Sequence, residues 1–356
     1  MPDPTASGSL LASEQRSADL ELAIAARPAA YRVLTGDRPT GPLHIGHYFG
    51  TLHNRVRLQE AGVDLLVLIA DYQVITDRTM PADLAVNVIG QVADYLAVGI
   101  DPGRATIFAH SQVEALNQLV LPFLSLVSVA EVGRNPTVKD EMGAAGTAAI
   151  SALMFTYPVH QAADILFCHA NVVPVGQDQL PHVELTRTIA RRFNERYRPG
   201  QPYFPEPQGL LSAAPLLLGL DGRKMSKSLG NTIPLRATAD ETAALIARAR
   251  TDSERVITYE PQRRPEVSNL LLIAALCRDA DPAELAGEIG AGGSAALKAT
   301  VTEAVNERFA PIRRRRQELA RDPGYLRGVL AEGNDRASAI ATSTMNSVRE
   351  LMHTSY

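Results

Sequence analysis

Residues 31–47 read Tyr31-Arg32-Val33-Leu34-Thr35-Gly36-Asp37-Arg38-Pro39-Thr40-Gly41-Pro42-Leu43-His44-Ile45-Gly46-His47. A short β-prone segment, Tyr31–Thr35, gives way to a loop dense in turn residues and then to a helical pattern through Ile45, Tyr48, Leu52, Val56 and Leu58. Gly62 closes that helix at the position where a left-handed residue is wanted. The next segment, Leu65-Leu66-Val67-Leu68-Ile69-Ala70, is apolar at every position, the mark of a strand buried on both faces in a parallel sheet. Strand, loop, helix and strand form one parallel crossover unit, and the fold class follows as α/β and doubly wound.

Working outward, residues 81–98 read as an amphipathic helix ending at Gly99, and Ala105–Ala109 as a further strand. From about 112 to 170 the pattern is helical, broken by Gly143-Ala144-Ala145-Gly146-Thr147 as a loop or a helix start. Val172–Gly176 resumes the sheet, and a helix follows through Val183, Leu185, Ile189 and Phe193. After Pro234 only helical periods remain, over 240–250, 266–278, 294–321 and 335–352. Residues 1–30, rich in Ala, Ser and Pro, read as a mobile tail with room for a short helix. The expected parts are therefore a tail at 1–30, an α/β body at 31–234 with a helical insertion at about 112–170, and an all-helical part at 235–356.

Composition narrows the function classes. A chain of 356 residues with 46% hydrophobic and 21% charged residues buries a sizeable core, and its length suits two domains. A net charge of −4 argues against coating nucleic acid by charge alone, so an RNA partner is held locally and DNA is not expected. Cys168 and Cys277 stand apart without metal-ligand spacing, which supports neither a disulfide framework nor a zinc site and points to a reducing cytoplasm. No apolar run is long enough for a membrane span. Lysine is confined to Lys139, Lys224, Lys227 and Lys298 among 35 basic residues, and tryptophan is absent.

Two motifs carry chemistry. His44 and His47 lie one turn apart at a helix start, where backbone N–H groups and the helix dipole favour an anion, and Gly46 between them lets a flat group approach. Leu220-Asp221-Gly222-Arg223-Lys224-Met225-Ser226-Lys227-Ser228-Leu229-Gly230-Asn231 is a polar loop whose two ammonium groups and two hydroxyls suit a polyphosphate. Alone, the histidine pair reads more readily as capping or surface histidines and the lysine loop equally well as a solvated basic turn; in this order on a doubly wound sheet the pair is far more specific.

The pair resembles the HIGH and KMSKS signatures of class I aminoacyl-tRNA synthetases. Thr35–Gly41, Tyr157-Pro158-x-x-Gln161-Ala162-Ala163-Asp164-Ile165-Leu166, Val173–Gln179, His182, Glu184–Arg187, Arg192-Phe193-Asn194, Thr251-Asp252-Ser253 and Ser268–Leu271 are similar to the tryptophanyl-tRNA synthetase family, so that the likeness runs from about 31 to 352. It implies a Rossmann-like catalytic body and a helical anticodon-binding part. The implied reaction joins L-tryptophan to tRNA(Trp) through an adenylate made from ATP with Mg2+. His44, His47, Lys224 and Lys227 are the implied catalytic groups. The nucleotide side would be lined by Gly36, Arg38, Pro39, Thr40, Gly46, Gly176, Gln177, Asp178, Leu216, Met225, Ser226 and Ser228, with Leu216 and Met225 against adenine. Asp164 would accept the indole N–H, Tyr157 and Gln179 would hold the ammonium, and Leu34, Val173 and Val175 would form apolar walls. Gln73 and Gln161 stand where His and Met are usual, as in a divergent second type of the family. The resemblance also implies a homodimer joined through the inserted helices. The competing readings are a tyrosyl-tRNA synthetase and a non-catalytic paralogue that binds tryptophan or tRNA for regulation.

Overall fold

The structure is a computed structural model that describes residues 4–76, 83–145, 150–211 and 216–356. Five parallel strands, β1 (Arg32–Asp37), β2 (Asp64–Ile69), β3 (Ala105–Ala109), β4 (Val172–Val175) and β5 (Gln208–Leu211), lie in the order β3-β2-β1-β4-β5. The chain winds outward from β1 to β3 and then returns to the other side of β1 as β4, so the connections diverge between β1 and β4. In such sheets the crevice outside the strand carboxyl ends at this switch point receives ligands.

The sheet is buried on both faces, which is why β2 reads as unbroken hydrophobics. Val33, Leu65, Val67 and Ile69 enter one apolar cluster and Leu34, Leu66 and Leu68 the other. The first cluster runs on without a break into Leu271, Val301 and Phe309 of the C-terminal helices. The helices anticipated after Pro234 are seen at Ala239–Ala247, Pro265–Arg278, Gly293–Ala320 and Pro323–Leu351; a short one at Pro282–Ile289 was not anticipated. Gly62 and Gly99 close their helices at φ 93° and 113°.

Both sheet edges are covered. On β3, Asn334 accepts the Ala109 N–H at 3.0 Å, and Arg336 donates to the carbonyls of Pro102 and Ala105 at 2.9 and 3.1 Å. Gly333 lies directly on the Ile107 carbonyl, where no Cβ fits. These groups occupy the edge hydrogen-bonding positions that would otherwise face solvent.

The other edge corrects the expected tail. Residues Pro4–Ala26 form a 23-residue helix whose Ser17 hydroxyl accepts the Leu211 N–H at 3.0 Å. Its buried face is Ser13, Ser17, Leu20 and Ile24, one residue per turn on a single stripe. Half of that stripe is serine, so hydropathy conceals it. Strand β5, with Gln208 and Gly209 as two of its four residues, was concealed for the same reason.

In the remaining segments, the helix read at 81–98 spans Leu84–Val98, with 81 and 82 outside the described residues. Pro136–Ala145 continues helically through Gly143, while Gly146 and Thr147 lie outside the described residues. Among the described residues no helix is long and apolar enough to cross a membrane.

Candidate active site

A cleft of about 860 Å³ opens at the carboxyl ends of β1 and β4. Its walls include Leu34, Gln73, Tyr157, Gln161, Asp164, Val173, Val175 and Gln179 on the side assigned to the amino acid, and Gly36, Arg38 and Gly176 on the side assigned to the nucleotide. Gly36 is required by close approach: a Cβ there would stand 2.4 Å from the Leu68 carbonyl oxygen. Gln177 and Asp178 are exposed in the turn before the helix Leu180–Tyr197.

The histidine motif is stitched to the segment that follows the lysine loop. Ile45 N–H donates to Ile233 O at 3.0 Å and Leu235 N–H to Leu43 O at 2.9 Å. His47 Nδ1 accepts the His44 N–H at 3.2 Å, and the two rings lie 3.8 Å apart. Burial, reinforced by His47 and Lys227, pushes His44 down to about 3, and burial pushes His47 down to about 4 despite Asp37. Both imidazoles are therefore neutral near pH 7.

The lysine loop is organised by Asn231, a residue the motif contains but whose role its spacing did not reveal. Its Oδ1 accepts the Ser226 N–H at 2.9 Å, and its Nδ2 donates to Asp221 at 2.7 Å and to the Lys224 carbonyl at 3.1 Å. Gly219 lies against this amide, where a Cβ would overlap it. From the loop, Lys227 Nζ reaches across to the Gly41 carbonyl at 3.0 Å. Burial lowers the Lys227 pKa, and Arg38 adds to this while Asp37 and Asp94 oppose it. Lys224 is exposed, and the Ser228 side chain lies outside the described residues. Pro39 is buried, and Thr40 N–H closes a tight turn onto Arg38 O at 2.9 Å.

The expected adenine wall is only half built. Met225 is buried, and a Cβ on Gly46 would stand 2.9 Å from its sulfur. Leu216 is instead 70% exposed and belongs to neither apolar cluster.

Three polar pairings at the cleft were not evident from the sequence. Arg55, 1% exposed, pairs with Asp37 at 2.6 Å, and Tyr95 donates to the same carboxylate oxygen at 2.8 Å. Burial opposes the charge on Asp37, but Arg55, His47 and these hydrogen bonds outweigh it and hold the carboxyl well below its ordinary range. The only available signal was an arginine within an apolar helical stripe. Second, His182 Nε2 meets the Tyr157 hydroxyl at 3.1 Å and the Thr137 hydroxyl at 3.0 Å, and burial pushes this histidine down to about 4. Third, His110 Nε2 lies 2.6 Å from Asp164 Oδ1, with His160 stacked on His110 at 4.6 Å.

Two groups of arginines, Arg187/Arg191/Arg192/Arg196/Arg198 and Arg313–Arg316, are in large part committed within the chain. Arg187 and Arg191 pair with Glu206, and Arg192 with Glu131. Arg313 donates to Thr242 and Asn306, and Arg316 pairs with Asp94, which leaves Arg314 and Arg315 exposed.

A doubly wound parallel sheet with a cleft at its switch point, joined to a histidine pair that is hydrogen-bonded to the segment after a lysine loop, has the architecture of the catalytic body of a class I aminoacyl-tRNA synthetase. The family model for class I tRNA synthetases of the W and Y type matches residues 27–310. The tryptophan–tRNA ligase of Streptococcus agalactiae serotype V is 41% identical over 336 residues, covering 91% of this chain and 98% of the relative. A crystal structure of tryptophanyl-tRNA synthetase from Campylobacter jejuni complexed with ADP and tryptophane superposes with a TM-score of 0.79 at 31% identity, over 90% of this chain and 99% of that one. Tyrosyl-tRNA synthetase from Archaeoglobus fulgidus shares the fold at a TM-score of 0.62 and 24% identity, over 80% and 90% of the two chains. The chain belongs to the class I tRNA synthetases for tryptophan and tyrosine and, within them, to the tryptophanyl-tRNA synthetases.

Proposed function

We propose that the chain is an ATP-dependent ligase that joins L-tryptophan to tRNA(Trp) through a tryptophanyl-adenylate, releasing pyrophosphate and then AMP. The observation that carries this reading is a switch-point cleft lined by Asp164 and by Gly36, Asp37 and Arg38, the last three of which lead along the chain into the Gly41–His47 segment that Lys227 and Ile233 hold by hydrogen bonds. The substrate carboxylate attacks the α-phosphate of ATP, so the protein needs no nucleophile and contributes positioning and charge stabilisation. Neutral His44 and His47 donate N–H groups toward phosphate oxygens. Lys227 exchanges the Gly41 carbonyl for developing phosphate charge, and exposed Lys224 follows the leaving pyrophosphate.

Mg2+ accompanies ATP held by phosphate oxygens. Among the described residues, the only His, Cys, Asp and Glu side chains close enough to gather round an ion are His110, His160 and Asp164, on the side proposed for the amino acid.

Asp164 accepts the indole N–H, Tyr157 and Gln179 hold the substrate ammonium, and Leu34, Val173 and Val175 flank the ring. The helical part at 235–356 binds the anticodon. The inserted helices pair two copies in a homodimer, a reading supported by Leu121 and Val129, 75% and 76% exposed on that insertion. The enzyme works in the cytoplasm. Pyrophosphate exchange into ATP tests the reading: it requires tryptophan, and exchange driven equally by tyrosine, or none with tryptophan, overturns it.

A further inference from the structure

Behind Asp164 lies a buried polar cluster whose proton positions can be worked out from its partners. Asn117 Nδ2 sits 2.9 Å from the His110 carbonyl and 3.0 Å from that of Val113, so it is the donating end of the amide. Asn117 Oδ1 is therefore an acceptor, and His160 Nε2, 2.9 Å away, must carry the hydrogen between them. That nitrogen has no lone pair left for an ion. His110, His160 and Asp164, although within 4.8 Å of one another through their ligand atoms, are thus not a metal-ligand set as arranged.

The same reasoning orders the next bond. A carboxylate oxygen accepts, so on the 2.6 Å line between Asp164 Oδ1 and His110 Nε2 the histidine is the donor. His110 is fully buried at the end of β3, and its ring is held between Tyr72 at 6.5 Å and His160 at 4.6 Å. Asp164, 1% exposed, projects from the helix Ala152–Leu166 with Oδ1 taken by His110, while Oδ2 accepts only a long 3.5 Å hydrogen bond from Gln73 Nε2, which a ring N–H can displace.

We infer that His110 is a positioning residue for amino-acid specificity: its Nε2–H fixes one oxygen of Asp164, so that the other is presented to the cleft as an acceptor for a ring N–H. The inference rests on Asp164 being the acceptor of the indole N–H. In an enclosed site a carboxylate held this way rewards a substrate with the donor and penalises one without it, because the acceptor would otherwise be left unpaired. A carboxylate free to rotate would turn to another donor and lose that penalty.

The test compares activation of tryptophan with activation of an analogue that carries sulfur in place of the ring N–H, in the full chain. In His110→Phe, kcat/KM for tryptophan should fall about tenfold to a hundredfold, mainly through KM, while the analogue changes little. The preference for tryptophan then collapses with the ATP KM unchanged. His110→Gln, whose amide reaches to the imidazole Nε2 position, should restore the preference. His110→Asn, too short to reach Asp164, should not. A folded His110→Phe with the wild-type preference overturns the inference. If that variant does not fold, equal preferences in the Gln and Asn variants overturn it instead. Asp164→Asn separates the two levels: a preference unchanged there removes the Asp164 assignment itself, whereas a preference lost there and retained in His110→Phe removes only the role of His110.

Discussion

The two ends of the cleft are built differently. At the end proposed for the amino acid, Asp164, His110, Asn117 and His160 are linked in a chain of hydrogen bonds, and Tyr157 leans on His182. At the end proposed for the phosphates, an exposed loop carries Lys224, and Lys227 is tethered to a lone backbone carbonyl. The difference separates recognition from chemistry. A pocket that discriminates a ring N–H must be rigid before the substrate arrives, because an adaptable acceptor discriminates nothing. Groups that stabilise charge on a moving pyrophosphate are completed by the phosphates themselves.

The largest expected effect breaks the phosphate end alone. Lys227→Ala should lower the rate of tryptophan activation by about 100- to 1000-fold, or ~2.7–4 kcal/mol in the barrier, as for loss of one preorganised donor to developing charge. Its thermal midpoint should stay near that of the wild type. A variant that keeps full exchange activity would remove Lys227 from the chemistry.

Next in size, Asp164→Ala strikes the other end. Leaving the indole donor unpaired costs about 1–3 kcal/mol, so tryptophan affinity should fall about tenfold to a hundredfold with the KM for ATP unmoved. Calorimetric titration with each substrate checks both halves of the statement, and equal losses for tryptophan and ATP would contradict the separation.

The histidine rim makes a pH prediction. Burial holds His44 and His47 near 3 and 4, below the ordinary value of 6.5, so the unfolded chain binds the protons more readily. Their contribution to stability is fully present above about pH 6.5 and is lost as pH falls toward 4 and 3. Thermal midpoints measured from pH 6.5 down to 4 should drop less steeply in His44→Gln than in the wild type. Parallel slopes would mean that other groups govern acid unfolding.

Much of this was legible in the sequence, for identifiable reasons. Strands buried on both faces, such as Leu65–Ile69, leave unbroken apolar runs, and Gly62 and Gly99 mark helix ends that only a left-handed residue can close. The cleft residues came through local motifs. What stayed hidden depends on pairing across long chain separations or on polar residues at buried positions. Ser13 and Ser17 conceal the packed face of the first helix, Arg55 and Asp37 reveal themselves as a pair only once folded, and His110 meets Asp164 across 54 positions. A buried histidine has no hydropathic signature, so no period in the sequence could have found it.

The smallest expected effect sharpens the phosphate end. Leu216→Ala should change folding stability by no more than about 0.5 kcal/mol, because the side chain is 70% exposed and unpacked. If Leu216 closes on adenine when ATP binds, the same change raises the KM for ATP severalfold. An unaltered KM would confine the adenine contact to Met225.

The division between a rigid recognition end and a phosphate-completed chemical end can be read directly, because the chain contains no tryptophan of its own. The fluorescence of bound L-tryptophan is then unmasked by the protein. Titrating L-tryptophan against wild type and Lys227→Ala, with pyrophosphate exchange followed on the same samples, should give dissociation constants that agree within about twofold while exchange is nearly abolished in the variant. Tryptophan affinity that falls together with exchange would show the two ends to be one coupled unit and contradict the account.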